Sequence, residues 1–238
     1  MRRCAGIDET GRGSCIGPLI ACAVVFPEEG LPAPVMALLA DSKALSARRR
    51  NDAYEAILPR VAYGFGSASA AEVDALNPLR ATMLAMTRAV RRLPVAVDFL
   101  RVDGLHVPDI GIPGEAIVKG DVLVAEISAA SILAKVFRDR LISRLAVRYP
   151  DYGLERHAGY GTAAHFAAID RLGATAHHRK TFLRKHFEKR CRAEKEQLSD
   201  AGRWQHEIGV HRIDVVSAPG HEARAPSDDG IGGADRVE

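Results

Sequence analysis

The chain of 238 residues has few cysteines, and the four present stand at positions 4, 15, 22 and 191. They form no C-x-x-C pair and no cluster with histidine, so the spacing of a zinc site is missing. They read as reduced thiols packed like small apolar groups, since no other feature supports the oxidising compartment that disulfides need. No apolar run approaches the ~20 residues of a membrane span. The most apolar stretch, residues 14–26 (SCIGPLIACAVVF), is interrupted by glycine and proline and follows the charged DETGRG. A secretory signal would place basic residues directly before its apolar core. A cytoplasmic protein with no membrane partner is therefore expected. No G-x-x-x-x-G-K-[ST] occurs, which removes a P-loop NTPase, and no G-x-S-x-G, which removes a serine-hydrolase elbow. Internal repeats are also missing.

Hydrophobic residues make up 47% and charged residues 26% of the chain, an ordinary balance for a globular protein of one domain with or without a tail. The net charge of +3 is unevenly spread. Residues 193–238 hold 5 Lys+Arg against 10 Asp+Glu, and residues 1–192 hold 28 against 20. A basic body is compatible with a polyanion partner. The expected division is a body over 1–192, whose part from about 151 is helical, and an acidic tail over 193–238. From about residue 200 the tail reads as mostly disordered, because its end (SAPGHEARAPSDDGIGGADRVE) is rich in Gly, Pro and Asp. Trp204 and the run 213–216 are the parts of it that could dock.

Strands are expected over 3–8, 19–26, 61–68, 95–103 and 116–119. The second is dense in Val, Ile and Ala and reads as buried on both faces. Helices are expected from an N-cap at Ser46 to about 59, over 78–92 with Pro78 at its start, and over 122–149, 162–172 and 178–192. Gly173 stops the fourth of these. Strands mixed with helices make an α/β protein. Its first three strands do not require helical crossovers, so the sheet should be mixed.

Asp8 and Glu9 end the first strand, just before Thr10-Gly11-Arg12-Gly13, and Asp103 ends another strand before Gly104. If those strands are neighbours, their carboxylates meet at one sheet end, where they repel unless a cation lies between them. Asp121, in Lys119-Gly120-Asp121, is a fourth candidate, although an aspartate before a helix is also a good N-cap. Four carboxylates without Cys or His suit Mg²⁺ or Mn²⁺ and two-metal phosphoryl chemistry. Gly11 and Gly13 would let backbone N–H groups approach a phosphate or hydroxyl, or would simply make a tight turn. Tyr160, in a glycine turn, could stack on a sugar or base, or be a core tyrosine. Ser128, Ser131 and Lys135 share a helix face and read as tight packing with a Lys135–Asp139 ion pair. His165 and His177-His178-Arg179 lack ligand spacing. The basic stretch 178–192 is either a phosphate-facing surface or a solvated face.

The order DETGRG, DSK (41–43), VDG (102–104), KGD (119–121), SAASILAKVFRDR (128–140), GYGT (159–162) and HHRKTF (177–182) resembles bacterial ribonuclease HII over about residues 4–185. The resemblance implies a ribonuclease H-like fold: a mixed central sheet flanked by helices, with a helical C-terminal part. It implies an endonuclease that cuts the RNA of RNA/DNA hybrids and nicks 5′ to single ribonucleotides in duplex DNA, leaving 3′-hydroxyl and 5′-phosphate ends with Mn²⁺ or Mg²⁺. Asp8, Glu9, Asp103 and Asp121 match the family's catalytic metal-site acids. Gly11, Arg12 and Gly13 match its reader of the 2′-hydroxyl, Tyr160 the tyrosine that packs on the sugar, and Lys43 a residue near the phosphates. Thr10 replaces the alanine of DEAGRG, and Ser14-Cys15-Ile16-Gly17-Pro18 replaces the usual GPLAGP. Both departures flank the 2′-hydroxyl reader and remove no proposed ligand. Some members carry a clamp-binding segment near the C-terminus. No convincing one stands out here, which leaves a sliding clamp an open partner of an expected monomer. Two other readings stay open: an inactive hybrid-binding protein, and an exonuclease or resolvase of the same fold that needs no ribose.

Overall fold

The structure, a computed structural model, describes residues 3–40 and 45–208. The chain divides into two compact units, residues 1–190 and 191–238. The first unit is built around strand β2 (Leu19–Val25), every residue of which is buried. Its alternation explains why the whole run is apolar. Ile20, Cys22 and Val24 enter one core, and Leu19, Ala21, Ala23 and Val25 enter the other. β1 (Cys4–Thr10) and β3 (Ala62–Ala68) pair antiparallel with β2 on its two sides. β4 (Phe99–Asp103) joins β1 in parallel, and β5 (Gly114–Ile117) joins β4 in parallel. The order β3-β2-β1-β4-β5 is the expected mixed sheet.

Helices cover both faces. On one lie α1 (Ala33–Ala40), α2 (Ala47–Ile57) and the long α5 (Ala125–Arg148), enclosing the first core. On the other, α3 (Ala70–Arg91) covers β1, β2 and β3. Ser46 caps α2 as expected, its hydroxyl accepting from Arg49 N–H. α3 begins well before Pro78, where a Ser69–Glu72 capping box opens it. The chain then kinks at Asn77 (φ 69°), whose side chain caps a second segment that Pro78 starts. The expected start at Pro78 is thus an internal restart. β3 lies close against α3. A Cβ on Gly66 would stand 1.9 Å from the carbonyl oxygen of Ala85.

The helix expected over 122–149 is broken at Val124 into α4 (Gly120–Leu123) and α5. Among the described residues, the remaining α-helices are α6 (Leu154–His157), α7 (Ala163–Leu172) and α8 (Lys180–Ile208). α7 opens on a Thr162 cap and ends at Gly173 (φ 80°). α8 starts where Asp74 of α3 accepts from the N–H groups of Lys180 and Thr181, an inter-element cap that leaves no local sequence signal. It continues to Ile208, past the expected end at 192, so the stretch read as tail is helical at its start. The rest of that stretch lies outside the described residues. No helix among the described residues is long and apolar enough to cross a membrane.

Candidate active site

β1 ends in Asp8, Glu9 and Thr10, and its parallel neighbour β4 ends in Asp103. Their register pairs Ile7 with Val102, so Asp8 and Asp103 come side by side at one end of the sheet. Asp8 is buried, at 7% exposure, and its Oδ1 accepts the Glu9 N–H at 2.7 Å. Burial pushes its carboxyl well above the usual carboxylate range. A hydrogen bond from Ser131 of α5 opposes this, and the charges of Glu9 and Asp103 add to it. Glu9 is also raised, by burial first. Arg12, 3.9 Å away, pulls it down, and Asp103 pushes it up. Asp103 Oδ1 accepts the Asp121 N–H at 3.3 Å. Asp121 therefore lies in the first turn of α4 beside Asp103 and does not cap that helix. Lys119, in the left-handed region at φ 60°, holds the preceding position without a side-chain cap bond. Asp8, Glu9 and Asp103 thus stand at one sheet end, and the backbone of Asp121 is tied to Asp103.

Among the described residues, no three His, Cys, Asp or Glu side chains close into a preformed metal cage. The donor set is all oxygen and open. This fits Mg²⁺ or Mn²⁺, which keep waters and share a few carboxylates with substrate phosphates. It does not fit a cation that needs a complete protein cage.

The loop after Glu9 turns at Gly11, whose φ of 81° favours glycine. The same position lies against a side chain of α5, since a Cβ there would be 2.1 Å from Arg138 Nε. Gly13 is exposed and has open space, so neither sterics nor φ requires glycine there. Ser14 is fully buried, with its hydroxyl 2.9 Å from both the Ile16 and Gly159 carbonyls. It also bridges Tyr160 in an antiparallel pair, and Ile16 bridges His178 in the same way. One departure from the family pattern is thus the stitch between the glycine loop and the tyrosine loop. Tyr160 is 38% exposed and is not a core tyrosine. Lys43 lies outside the described residues. The Lys135–Asp139 pair forms at 2.8 Å, while Ser131, read as packing, faces Asp8.

His165 and His178 are buried, and their Nε2 atoms stand 3.2 Å apart. Thr175 N–H donates to His178 Nδ1 at 2.9 Å, which leaves the His178 proton on Nε2 to face His165. The proton of His165 is then on Nδ1, 3.0 Å from the Tyr160 carbonyl. Both rings are neutral in this chain of bonds. Burial, then the neighbouring His165, lowers His178 to about 4. Unfolded histidine binds its proton near 6.5, so between pH 6.5 and 4 the unfolded chain holds more protons and stability is lost as the pH is lowered. Relative to His178→Gln, the protein should lose about 2 kcal/mol between pH 7 and pH 5, read from urea midpoints. A pH-independent difference between the two would refute the neutral pair.

Sequence reading missed the burial of His178 and Arg179, which it placed in a basic surface stretch, and that of Arg138. For Arg138 a signal existed: it continues the helical stripe of Ser128, Ser131 and Lys135.

The profile of the family described as Ribonuclease HII matches residues 5–190. The Ribonuclease HII of Rhodospirillum rubrum is 51% identical over 182 residues, 76% of this chain and 84% of that protein. Among solved structures, the ribonuclease H2 of Pyrococcus horikoshii OT3 superposes with a TM-score of 0.66 at 25% identity, covering 79% of this chain and 98% of that one. A structure of the PCNA:RNase HII complex from Archaeoglobus fulgidus matches with a TM-score of 0.56 at 25% identity, over 74% and 93% of the two chains. The mixed five-stranded sheet, the acids at its end and a match spanning most of the first unit agree: the chain belongs to the ribonuclease HII family, the endoribonucleases of that name among the hydrolases.

Proposed function

We propose that this chain hydrolyses the RNA strand of RNA/DNA hybrids and nicks duplex DNA 5′ to a single ribonucleotide, leaving 3′-hydroxyl and 5′-phosphate ends. One observation carries the reading. The acids at the end of β1, beside Asp103 of the neighbouring β4, run directly into the Gly11–Gly13 loop, which Ser14 stitches to the exposed Tyr160. A phosphate-cutting site and a sugar-reading surface are thereby continuous.

Asp8, Glu9, Asp103 and Asp121 are the groups that hold two divalent cations, Mn²⁺ or Mg²⁺. When bound, these supply the charge that acidifies an attacking water and offsets the leaving 3′-oxygen. The chain's own part is orientation. Glu9 N–H and Ser131 keep the Asp8 carboxyl turned to one rotamer, and Asp121 N–H does the same for Asp103. Backbone groups of Gly11, Arg12 and Gly13 select the ribose 2′-hydroxyl, the group that separates RNA from DNA, while Tyr160 packs on the sugar. Lys43 belongs near the phosphates on the family resemblance. A sliding clamp enters as a partner only through the Archaeoglobus fulgidus complex, and the chain is proposed to act as a monomer.

The test is a duplex containing one ribonucleotide, incubated with Mn²⁺, Mg²⁺ or EDTA beside an all-DNA duplex. The expected result is a metal-dependent nick 5′ to the ribonucleotide and an intact control. Tyr160→Ala should slow that nick by about tenfold, the worth of one stacking contact, with little change in melting temperature. Cleavage of the all-DNA duplex, or none with either metal, would overturn the reading.

A further inference from the structure

Two arginines are fully buried beneath the sugar-reading surface: Arg138 of α5 and Arg179 just before α8. Among the described residues, neither has a carboxylate within ion-pair distance. Asp139 and Asp74 act on them only at longer range. Burial lowers Arg138, and burial, then the neighbouring Arg138, pulls Arg179 down to about 10; a guanidinium keeps its proton in proteins, so both are charged at neutral pH. A buried charge without a counter-charge is expensive for a fold, and apolar side chains of similar volume usually serve stability better. Their presence calls for a reason outside the core.

Their side-chain hydrogen bonds supply one, because all of them go to carbonyls of residues 12–17, in and just after the glycine loop, or of Ala158, two residues before Tyr160. Arg179 Nε and Nη2 donate to Gly17 O at 3.2 and 3.0 Å, and Nη1 donates to Arg12 O at 2.9 Å. Arg138 donates to Ala158 O from Nη1 and Nη2 at 3.2 and 3.3 Å and to Ile16 O from Nη2 at 3.5 Å, and its Nε, under Gly11, has no partner. Its guanidinium lies 5.6 Å from the Tyr160 ring centroid. In a trans peptide the C=O and the following N–H point in opposite directions. With the Arg12 carbonyl turned inward to Arg179, the Gly13 N–H turns outward. Gly13 is exposed, and among the described residues no hydrogen bond engages its N–H.

We propose that Arg179 and Arg138 are positioning residues for ribose selection: they draw the carbonyls of the glycine and tyrosine loops inward, so that the Gly13 N–H faces substrate as a fixed donor for the 2′-hydroxyl. The proposal rests on the functional reading above. Neither arginine touches substrate. Lysine in either place keeps the charge and loses the planar fork that holds the carbonyls.

The experiment measures binding, in EDTA, of a duplex with one ribonucleotide and of the same duplex in all-DNA form, for the wild type, Arg179→Lys and Arg138→Lys. The quantity read is the ratio of the two affinities. Losing a fixed donor to a hydroxyl should lower that ratio by about tenfold or more. All-DNA affinity and its salt dependence should stay unchanged, because no phosphate contact is removed. A merely structural role would weaken both duplexes together. An unchanged ratio in a folded lysine variant, or an equal loss on both duplexes, would overturn the proposal and leave the function intact. Failure of both variants to fold would make the pair a core element and overturn it too. A wild type with no ribose preference would overturn the functional reading, and this proposal with it.

Discussion

Asp8→Asn should lower cleavage by about a thousandfold and, at the same time, make the metal-free protein more stable. Both effects come from one geometry. The Asp8 carboxyl is buried beside Glu9 and Asp103, all three acidic, with Ser131 and the Glu9 N–H as its hydrogen-bond support. Its folded pKa is raised, so the stability it allows is complete only below the usual carboxylate range and declines as pH rises toward neutrality. Asparagine keeps the shape and an acceptor oxygen while removing the repulsion. A gain of about 1 kcal/mol at pH 7 in EDTA is expected, an ordinary size for relieving a functional site. Mn²⁺ should raise the melting temperature of the wild type more than that of the variant, because a cation held by the acids binds only the folded form. A variant that cleaves at the full rate would remove Asp8 from the site. A variant less stable than wild type in EDTA would show that the cluster does not repel.

Gly66→Ala should damage the fold itself, for an unrelated reason. β3 and α3 approach so closely that the new methyl would stand 1.9 Å from Ala85 O and 2.4 Å from Ala89 N. Both are helix backbone atoms and cannot rotate aside. Either α3 lifts from the sheet, opening the core of Ala21, Ala85 and Ala89, or the strand shifts register. Overpacking a well-filled core costs about 3 kcal/mol at the upper end of its usual range. The expected result is a large fall in the urea midpoint with the acids untouched. A midpoint within error of wild type would mean that this face of the sheet is looser than its packing implies.

Much of this architecture is legible in the amino-acid sequence. The unbroken apolar run of β2 identifies a strand buried on both faces, and the acid–glycine junctions at 8–11 and 103–104 mark one end of the sheet. Their adjacency cannot be read locally, because β1 and β4 are separated by two strands and three helices in the chain. The first half of α3 escapes the reading although Ser69 and Glu72 signal its start, because Pro78 offers a second, equally good start behind Asn77. The burial of His178 and Arg179 is misread, and that of Arg138 goes unread, for a statistical reason. Charged and ionisable side chains almost always stay in water, so a basic stretch reads as surface. Here the partners that hold the two arginines inside are backbone carbonyls, and those of His178 are Thr175 and His165, none of which advertises itself in the sequence. Asp121 reads equally well as a cap. Its place inside the first turn of α4, behind Lys119 at the N-cap, and the bond from its N–H to Asp103 separate the two possibilities.

One helix touches both halves of the site. Ser131 of α5 faces Asp8, and Arg138, two turns on, lies under Gly11 and holds Ala158. Seven residues of α-helix measure about 10 Å and return to nearly the same face. α5 is thus a gauge: its pitch fixes how far the acids stand from the loops around them. One residue inserted between 131 and 138 would swing the arginine about 100° off that face. Beyond the packing of Ile132, Leu133, Ala134 and Val136, it is the length of this interval that the site fixes.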